Sequence, residues 1–305
     1  MPPDFNPSFV PPQWAWWVVL YFFLGGITGG TYFAAAWLDL FGDRGDRGIV
    51  RMAHLLAFPL ILLSAGLLIV DLGRPERFLN MIVQSERFPL PMFKPYSPMS
   101  AGSLILALFG AISFISFLDA VFTRGRERWL HRAGSVVGKV ISFVGGIAGL
   151  ALAGYTGWLL NVTNEPVWGT SPFISALFVF SGISTGIAAI LIAAARLPDS
   201  TRVKLEEADN YLMGFELLTL LVFLLTLGSV GVRFVVGQPL VVLLFAVTII
   251  VGLLLPFLLH LRPRLLGGHR TATAAAAALA LVGGFALRWA VLAGPQGITL
   301  QGISL

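Results

Sequence analysis

The chain has 305 residues, of which 57% are hydrophobic and only 11% are charged. Soluble domains carry roughly 25% charged residues, so a water-soluble surface could not hide this much apolar side chain. The net charge of +5 would suit nucleic acid, but the basic residues lie in short loops between apolar runs, which excludes a nucleic-acid-binding surface. Cysteine is absent, which excludes disulfides and cysteine-bound iron–sulfur clusters or zinc in this chain. The composition therefore predicts a protein embedded in the lipid bilayer.

Eight apolar runs are each long enough to cross a bilayer as an α-helix, which needs about 20 apolar residues. They are too long and too uniformly apolar for the strands of a membrane barrel. The runs cover residues 16–41, 49–71, 97–122, 135–160, 170–196, 209–231, 238–260 and 271–293. The sequence thus predicts an all-α integral membrane protein with about eight transmembrane helices.

A short repeat suggests that these helices form two four-helix bundles. The letters GITGG at residues 26–30 of the first helix resemble GISTG at residues 182–186 of the fifth. Helices four apart run in the same direction, so a parallel repeat is expected, although small-residue patterns also serve ordinary helix packing. We expect an external segment at 1–15, a first bundle at 16–165 and a second at 166–305.

Lysine and arginine are distributed unevenly between the two sets of loops. The loops after the odd-numbered helices carry 14 of the 20 basic residues. Cytoplasmic loops carry such an excess, so we expect these loops inside and both termini outside. The longest outer loop, 72–96, holds most of the outer basic charge and four aromatic residues, Phe78, Phe88, Phe93 and Tyr96. It is either a loop lying on the membrane surface or a docking and site-forming loop.

Polar side chains at membrane depth are costly, and they therefore mark candidate functional sites. Tyr21 and Tyr155 lie near the outer ends of the first and fourth helices, and Asp71 closes the second. Arg74 and Arg77 follow Asp71 directly. Each residue alone could be an interface tyrosine or part of a helix cap, but together they predict one polar layer beside glycines that leave room for a flat ligand.

A second set of polar residues lies on the inner side. Asp39, His54 and Asp119 are near the inner ends of the first three helices, where they could feed or release protons or serve as ordinary interfacial charges. Glu216 in the sixth helix is the deepest acid and a fourth candidate for the proton pathway. Arg288 is buried in the eighth, and either an ion pair or a carbonyl contact would satisfy it.

Two stretches resemble a known family. They are DLGRPERF at residues 71–78 and SPMS at 97–100, supported by GGITGG at 25–30, GYTG at 154–157 and Leu287-Arg288. With these motifs the whole chain resembles the NrfD/PsrC family, the membrane subunits of polysulfide reductase and related respiratory complexes. The resemblance implies a multi-pass protein in the cytoplasmic (inner) membrane of a prokaryote.

The resemblance also implies a role and a site. The family binds quinone (menaquinone or ubiquinone) near the outer face of the first bundle, and exchanges electrons with an external iron–sulfur, ferredoxin-like subunit, usually partnered by a molybdopterin catalytic subunit. The chain itself would carry no haem and no iron–sulfur cluster. Tyr155 matches the family's pocket tyrosine, whereas Tyr21 stands where some members have histidine.

Tyrosine is a poor base near pH 7, so Asp71, tuned by Arg74 and Arg77, is the expected proton acceptor. Whether protons are translocated stays open. Two other classes also stay open at this point, a secondary transporter and a purely structural membrane anchor for an outer enzyme.

Overall fold

The computed structural model describes residues 14, 16–84, 90–91, 94, 96–122, 135–163, 165–194 and 199–295. Within these ranges eight helical segments are long and apolar enough to cross a membrane, which confirms the predicted all-α membrane fold. The helices are α1 (Trp16–Phe41), α2 (Arg47–Asp71), α3 (Pro98–Phe122), α4 (Val136–Asn161), α5 (Pro166–Thr170), α6 (Ile174–Ala193), α7 (Asp199–Thr226), α8 (Gly228–Val236), α9 (Pro239–Ala246), α10 (Leu255–Leu261) and α11 (His269–Ala293).

A π-helical stretch, Val247–Leu254, joins α9 and α10 into one span, and α5 and α8 are short connecting helices. We call the side where α1 begins and α11 ends the terminal side, and the opposite side the far side. The predicted external segment 1–15 lies outside the described residues except for Trp14, as do Phe88, Phe93 and the arginine-rich loop 123–134. The placement of the two sides relative to the cell therefore stays a prediction.

The sixth span differs most from its predicted bounds, because α7 begins at Asp199 rather than near residue 209. The added turns are rich in charged residues, which a search for apolar runs does not include. They are nevertheless packed into the protein: Thr201 and Glu206 are buried, and the Thr201 hydroxyl donates a hydrogen bond to Asp46. Polar contacts between helices thus extend α7 beyond the apolar run.

The fifth span is also shorter than expected, because α6 begins at Ile174 after the separate helix α5. Asn161, at the end of α4, fixes this connection by donating hydrogen bonds to the carbonyls of Trp168 and Ser171. The buried Trp168 in turn donates from its indole nitrogen to the carbonyl of Val291 in α11, at 2.6 Å. The connection between α4 and α6 is therefore tied to the last helix.

The two glycine motifs noted in the sequence pack directly against each other where α1 crosses α6. A Cβ atom added to Gly30 would overlap the backbone of Gly182, and one added to Gly186 would overlap Gly30 and Thr31. The Thr31 hydroxyl donates a hydrogen bond to the Gly186 carbonyl at 3.3 Å. Small residues allow helix backbones to approach this closely. The crossing places α1 at the centre of the molecule, against α2, α4 and α6.

Candidate functional site

A cavity of about 280 Å³ lies between the first four spans on the terminal side. Its walls come from α1, the end of α2, the first half of α3 and the end of α4. Three polar side chains with titratable groups line it, Tyr21, Asp71 and Tyr155, among aliphatic and methionine side chains. A mostly apolar cavity with a few converging polar groups is the usual form of a small-molecule site.

The two tyrosines are buried, with 3% of Tyr21 and 7% of Tyr155 exposed. Tyr155 occupies its position because α3 has a glycine opposite it: a Cβ atom on Gly102 would overlap the phenol ring and hydroxyl of Tyr155. On the other side the Tyr155 ring lies edge-on to Trp158, with centroids 6.1 Å apart. The phenol is thus held between α3 and α4 beside the cavity.

The described part of the 72–96 segment forms one wall of the cavity. It contains a 3-10 helix, Pro75–Met81, and contributes Phe78, Met81 and Ile82 to the lining. The Ser103 hydroxyl donates a hydrogen bond to the Met81 carbonyl at 3.0 Å, which ties this wall to α3. The described part of the segment therefore forms a wall of the candidate site, and its role in docking stays a prediction.

The SPMS motif fixes the start of α3 next to this wall. Pro98 is the first residue of the helix, and Ser97 precedes it as a cap whose hydroxyl accepts a hydrogen bond from the Ser100 backbone at 3.4 Å. The Ser100 hydroxyl accepts a hydrogen bond from the Lys94 backbone at 3.0 Å. The hydroxyl groups of Ser97 and Ser100 thus each accept a hydrogen bond from a backbone N–H group next to the cavity wall.

The predicted polar layer is brought together only in part. Asp71 lines the cavity from the last position of α2 and is exposed. Arg74 and Arg77 are also exposed, but neither lines the cavity, and neither forms a salt bridge with Asp71 within the described residues. The structure therefore groups Tyr21, Asp71 and Tyr155 and leaves the two arginines outside.

Sequence reasoning missed the contributions of α3 to the cavity, above all Gly102 and Ser103. Both follow the SPMS motif within one turn, and the lining positions Met99, Gly102 and Leu106 have the spacing of one helix face. That spacing indicates that the three residues share one face of α3, but it does not reveal which neighbouring helix this face contacts.

Asp39 and His54 meet on the far side. The His54 Nε2 atom lies 3.4 Å from Asp39 Oδ2, and the Ser142 hydroxyl donates to the same oxygen at 3.1 Å. The Tyr32 ring lies 4.8 Å from the His54 ring, and its hydroxyl is 2.7 Å from that of Ser116 in α3. Asp119 is buried on α3 one turn beyond Ser116. These groups form a polar cluster within the first four spans.

Glu216 lies apart from that cluster, in α7. Its carboxyl is buried, and Ser181 of α6 lies beside it. Ser181 accepts a hydrogen bond from Arg288 at 2.9 Å, and Arg288 donates to the carbonyls of Gly284 and Phe22. Arg288 is therefore a clamp on backbone carbonyls, one of the two alternatives that the sequence allows, and it forms no salt bridge with Glu216 within the described residues.

A family model described as polysulphide reductase, NrfD, matches residues 6–299. The chain belongs to the NrfD polysulphide reductase family. Within the described residues no three histidine, aspartate or glutamate side chains are grouped as a metal site would require.

Three curated relatives are similar over much of the chain. Protein NrfD of Escherichia coli (strain K12) is 27% identical over 199 residues, covering 60% of this chain and 59% of that protein. The C subunit of polysulfide reductase from Wolinella succinogenes is 27% identical over 241 residues, covering 74% and 72%. Protein NrfD homolog of Haemophilus influenzae is 25% identical over 285 residues, covering 85% and 87%. The match thus spans less than two thirds of the E. coli protein but most of the other two.

Proposed function

We propose that this chain is the quinone-reactive membrane subunit of a polysulfide reductase-like oxidoreductase complex. The observation that carries the proposal is the terminal-side cavity, in which Tyr21, Asp71 and Tyr155 converge among apolar side chains. Family membership and the similarity to the C subunit of a polysulfide reductase support a membrane subunit of a reductase. The cavity adds a place for a lipid-soluble electron carrier, which neither a transporter nor a structural anchor would need.

The residues of the cavity fit a quinone head group. A quinone presents two carbonyl acceptors and a quinol two hydroxyl groups, and a tyrosine hydroxyl can either donate or accept. The flat ring would lie among Leu68, Met99 and Leu106, and the isoprenoid tail would leave between helices, where Met99 is exposed to lipid. The cavity is apolar enough for the ring and polar only where the oxygens would lie.

Each polar group has a distinct role in this proposal. Tyr21 and Tyr155 hold the oxygens and so orient the ring. A bound quinol supplies two electrons and two protons when it is oxidised. The Asp71 carboxylate, which reaches solvent at the end of α2, would take up the two protons one after the other and release each to solvent, or supply both in the reverse direction. Electrons leave on the terminal side to an iron–sulfur, ferredoxin-like subunit, partnered by a molybdopterin catalytic subunit.

The 72–96 segment is the proposed docking surface for that electron-carrying partner. Its described residues 75–82 form a wall of the cavity on the terminal side, so a partner bound there would lie close to the ring. In the proposed orientation this side is the periplasmic face of a prokaryotic inner membrane. Reporter fusions after residues 130 and 265 should then read cytoplasmic, and a fusion at the C-terminus should read external; an internal C-terminus would contradict this orientation.

The proposed function is tested by purifying the intact complex and adding quinol. The expected result is co-purification of an iron–sulfur subunit whose centres become reduced by quinol, followed by absorbance or electron paramagnetic resonance. A protein that purifies without an electron-carrying partner, or a complex whose centres do not respond to quinol, would contradict the proposal.

A further inference from the structure

A groove of about 690 Å³ runs along the surface of the spans on the far side, between α1 and α7. Both helices pack on α6, and the groove lies between them. Its floor consists of buried aliphatic side chains from all three helices, namely Ala34, Leu38, Ile183, Ile187 and Leu205. The groove shares no lining residue with the terminal-side cavity. It is therefore a separate candidate site, which the proposed function does not use.

Aromatic side chains form two rims along this floor. On α1, Phe33, Trp37 and Phe41 follow one another at every fourth residue, with ring centroids 6.3 Å and 4.7 Å apart. On α7, Tyr211 and Phe215 have the same spacing and are exposed. A chain lying between the rims would contact protein on three sides, whereas lipid on a convex helix surface contacts it on one. The concave shape thus favours a bound molecule over freely exchanging bilayer lipid.

The length of the groove matches one leaflet of a bilayer. On α7 it extends from Lys204 to Phe215, which is about 16 Å at the rise of an α-helix. The hydrocarbon core of a bilayer is about 30 Å thick, so one leaflet contributes about 15 Å. The charged end of the groove lies towards the far side, and the opposite end is lined by apolar side chains. A molecule with one polar head and an apolar chain has this form.

Charges of both signs meet at the far-side end. Lys204 and Asp46 line the groove there, and the Lys204 Nζ atom lies 3.2 Å from Asp46 Oδ2 and 2.7 Å from Asp43 Oδ2. Asp46 is buried, whereas the Asp43 side chain is 82% exposed and that of Lys204 is 45% exposed. An ammonium group has three N–H bonds, and the two carboxylates accept from two of them within the described residues. The third can donate to a phosphate oxygen.

This arrangement selects among phospholipid head groups. A phosphate would accept from Lys204, with the exposed Arg44 next to Asp43 in the chain as a second cation. The exposed carboxylate of Asp43 would accept from a primary ammonium group. A choline head has no N–H bond to donate, and a glycerol head brings no cation to Asp43. A head group with both a phosphate and a primary amine satisfies both partners.

A quinone fits this groove less well than a phospholipid does. A quinone needs neutral polar groups at its two oxygens, on opposite sides of a flat ring. Here Lys204 and Asp46 are charged and lie together at one end. Trp37 and Tyr211 are the other described lining side chains with a polar atom, and both are exposed on the rims. Their position suits the interface between membrane and water, where such rings gather.

We propose that the groove between α1 and α7 binds a phospholipid of the far-side leaflet whose head group carries a phosphate and a primary amine, as in phosphatidylethanolamine. An acyl chain lies on the aliphatic floor between the two aromatic rims. Lys204 binds the phosphate, and Asp43 binds the ammonium group. The lipid fills the space between α1 and α7 and so joins the first and second halves of the chain. This site does not depend on quinone chemistry at the terminal-side cavity.

Two substitutions probe the floor and the charged end separately. Ala208 lines the groove from α7 and is exposed, so Ala208→Trp would fill the groove without changing a charge. Ala278→Trp is the matched control, since it makes the same change at an exposed position of α11 that also lies nine residues after the first residue of its helix. Asp43→Asn removes the partner of the ammonium group and keeps a good capping residue, with Glu207→Gln of α7 as its control.

The test is photolabelling of the intact complex with phosphatidylethanolamine that carries a diazirine in one acyl chain, followed by mass spectrometry of the peptides. We expect label in residues 33–42 and 204–215, displaced by excess unlabelled phosphatidylethanolamine. Equal amounts of phosphatidylcholine, phosphatidylglycerol or menaquinone should leave most of it. Ala208→Trp should lower the label roughly tenfold or more, and Asp43→Asn roughly twofold to fivefold. Both control variants should label like wild type.

Three results would overturn the proposal. Equal displacement by all three phospholipids would show ordinary bilayer lipid, and displacement by menaquinone as effective as by phosphatidylethanolamine would show a quinone site. Undiminished label in Ala208→Trp would place the lipid elsewhere. If Ala208→Trp does not assemble, the exposed Asp43 still decides, because equal labelling of Asp43→Asn and wild type would then overturn the proposal. None of these results bears on quinone binding in the terminal-side cavity.

Discussion

The terminal-side cavity and the three buried acids of α7, Glu206, Asp209 and Glu216, use polar side chains in opposite ways. In the cavity the groups are two phenols and one carboxyl that reaches solvent, in a wall that is otherwise apolar. Along α7 the groups are carboxyls that are almost entirely buried, paired with serine, threonine and histidine. The first arrangement suits a neutral, flat ligand that must enter and leave, and the second joins α7 to α6 and α11 through buried polar contacts.

The glycine crossing of α1 and α6 explains how the two regions are adjacent. Because the backbones touch at Gly30, Gly182 and Gly186, one face of α1 contributes Tyr21 to the cavity while its neighbour Phe22 meets Arg288. Two kinds of polar arrangement thus lie on either side of a single helix. Substitutions confined to one side should therefore leave the other side functional.

The largest effect is expected from Asp71→Asn, which should leave quinone binding intact but slow turnover. It preserves the shape of the side chain and removes the base, and proton transfer of this kind contributes roughly 10²–10⁴-fold in rate. The measurement is quinol-driven reduction of the partner's iron–sulfur centres in assembled complex. Reduction at the wild-type rate would remove Asp71 from the mechanism. Loss of assembly would instead show that Asp71 is a structural residue. The Glu207→Gln variant controls for a general effect of losing an acid.

A smaller but still large effect is expected from Gly102→Ala. The new Cβ atom would overlap the Tyr155 phenol, and overpacking of this kind costs about 1–3 kcal/mol. The Tyr155 phenol must then shift from its position beside the cavity, so quinol affinity should fall, as measured by titration of the purified complex. Gly110→Ala on the same helix is the matched control, because a Cβ atom there meets no other group within 4 Å. Equal affinities for the two variants would show that Tyr155 does not need its present position.

The smallest effect is expected from Tyr155→Phe, which removes one hydroxyl and keeps the ring. A hydrogen bond to a neutral group contributes about 0.5–1.5 kcal/mol. Quinol affinity should therefore weaken by roughly twofold to tenfold. Tyr211→Phe, an exposed tyrosine of α7 on the far side, should have no effect in the same titration. An affinity unchanged in Tyr155→Phe would remove this hydroxyl from the binding site.

Much of this architecture could be predicted because hydrophobicity and depth are properties of a single helix. The eight spans follow from apolar run length, and the shared depth of Tyr21, Asp71 and Tyr155 follows from their distance to helix ends. The lateral arrangement of helices is not encoded in that way. The contact of Gly102 with Tyr155 and the position of Arg74 and Arg77 outside the cavity depend on it, and only the structure supplies them.

Sequence patterns do not reveal that the acids of α7 are buried together, for a different reason. Glu206 precedes the apolar run and Asp209 lies at its very start, so hydropathy places both at a helix end and only Glu216 stands out as a deep acid. The spacing of three residues between Glu206 and Asp209, interrupted by the exposed Glu207, is nevertheless the pattern of one buried helix face. The charged first turns of α7 are stabilised by side chains on other helices, here Ser184 of α6 and Thr273 of α11. The sequence of α7 alone does not reveal these partners.

The central claim is that the terminal-side cavity is where quinone binds. The most direct measurement is photolabelling of the intact complex with an azido-quinone, followed by mass spectrometry of the labelled peptides, with excess unlabelled quinone as competitor. The account predicts competed label on the cavity walls, in residues 75–82, 99–107 or 155–159. Competed label confined to the far side, for example on the α1 and α7 surface around Trp37 and Tyr211, would contradict it.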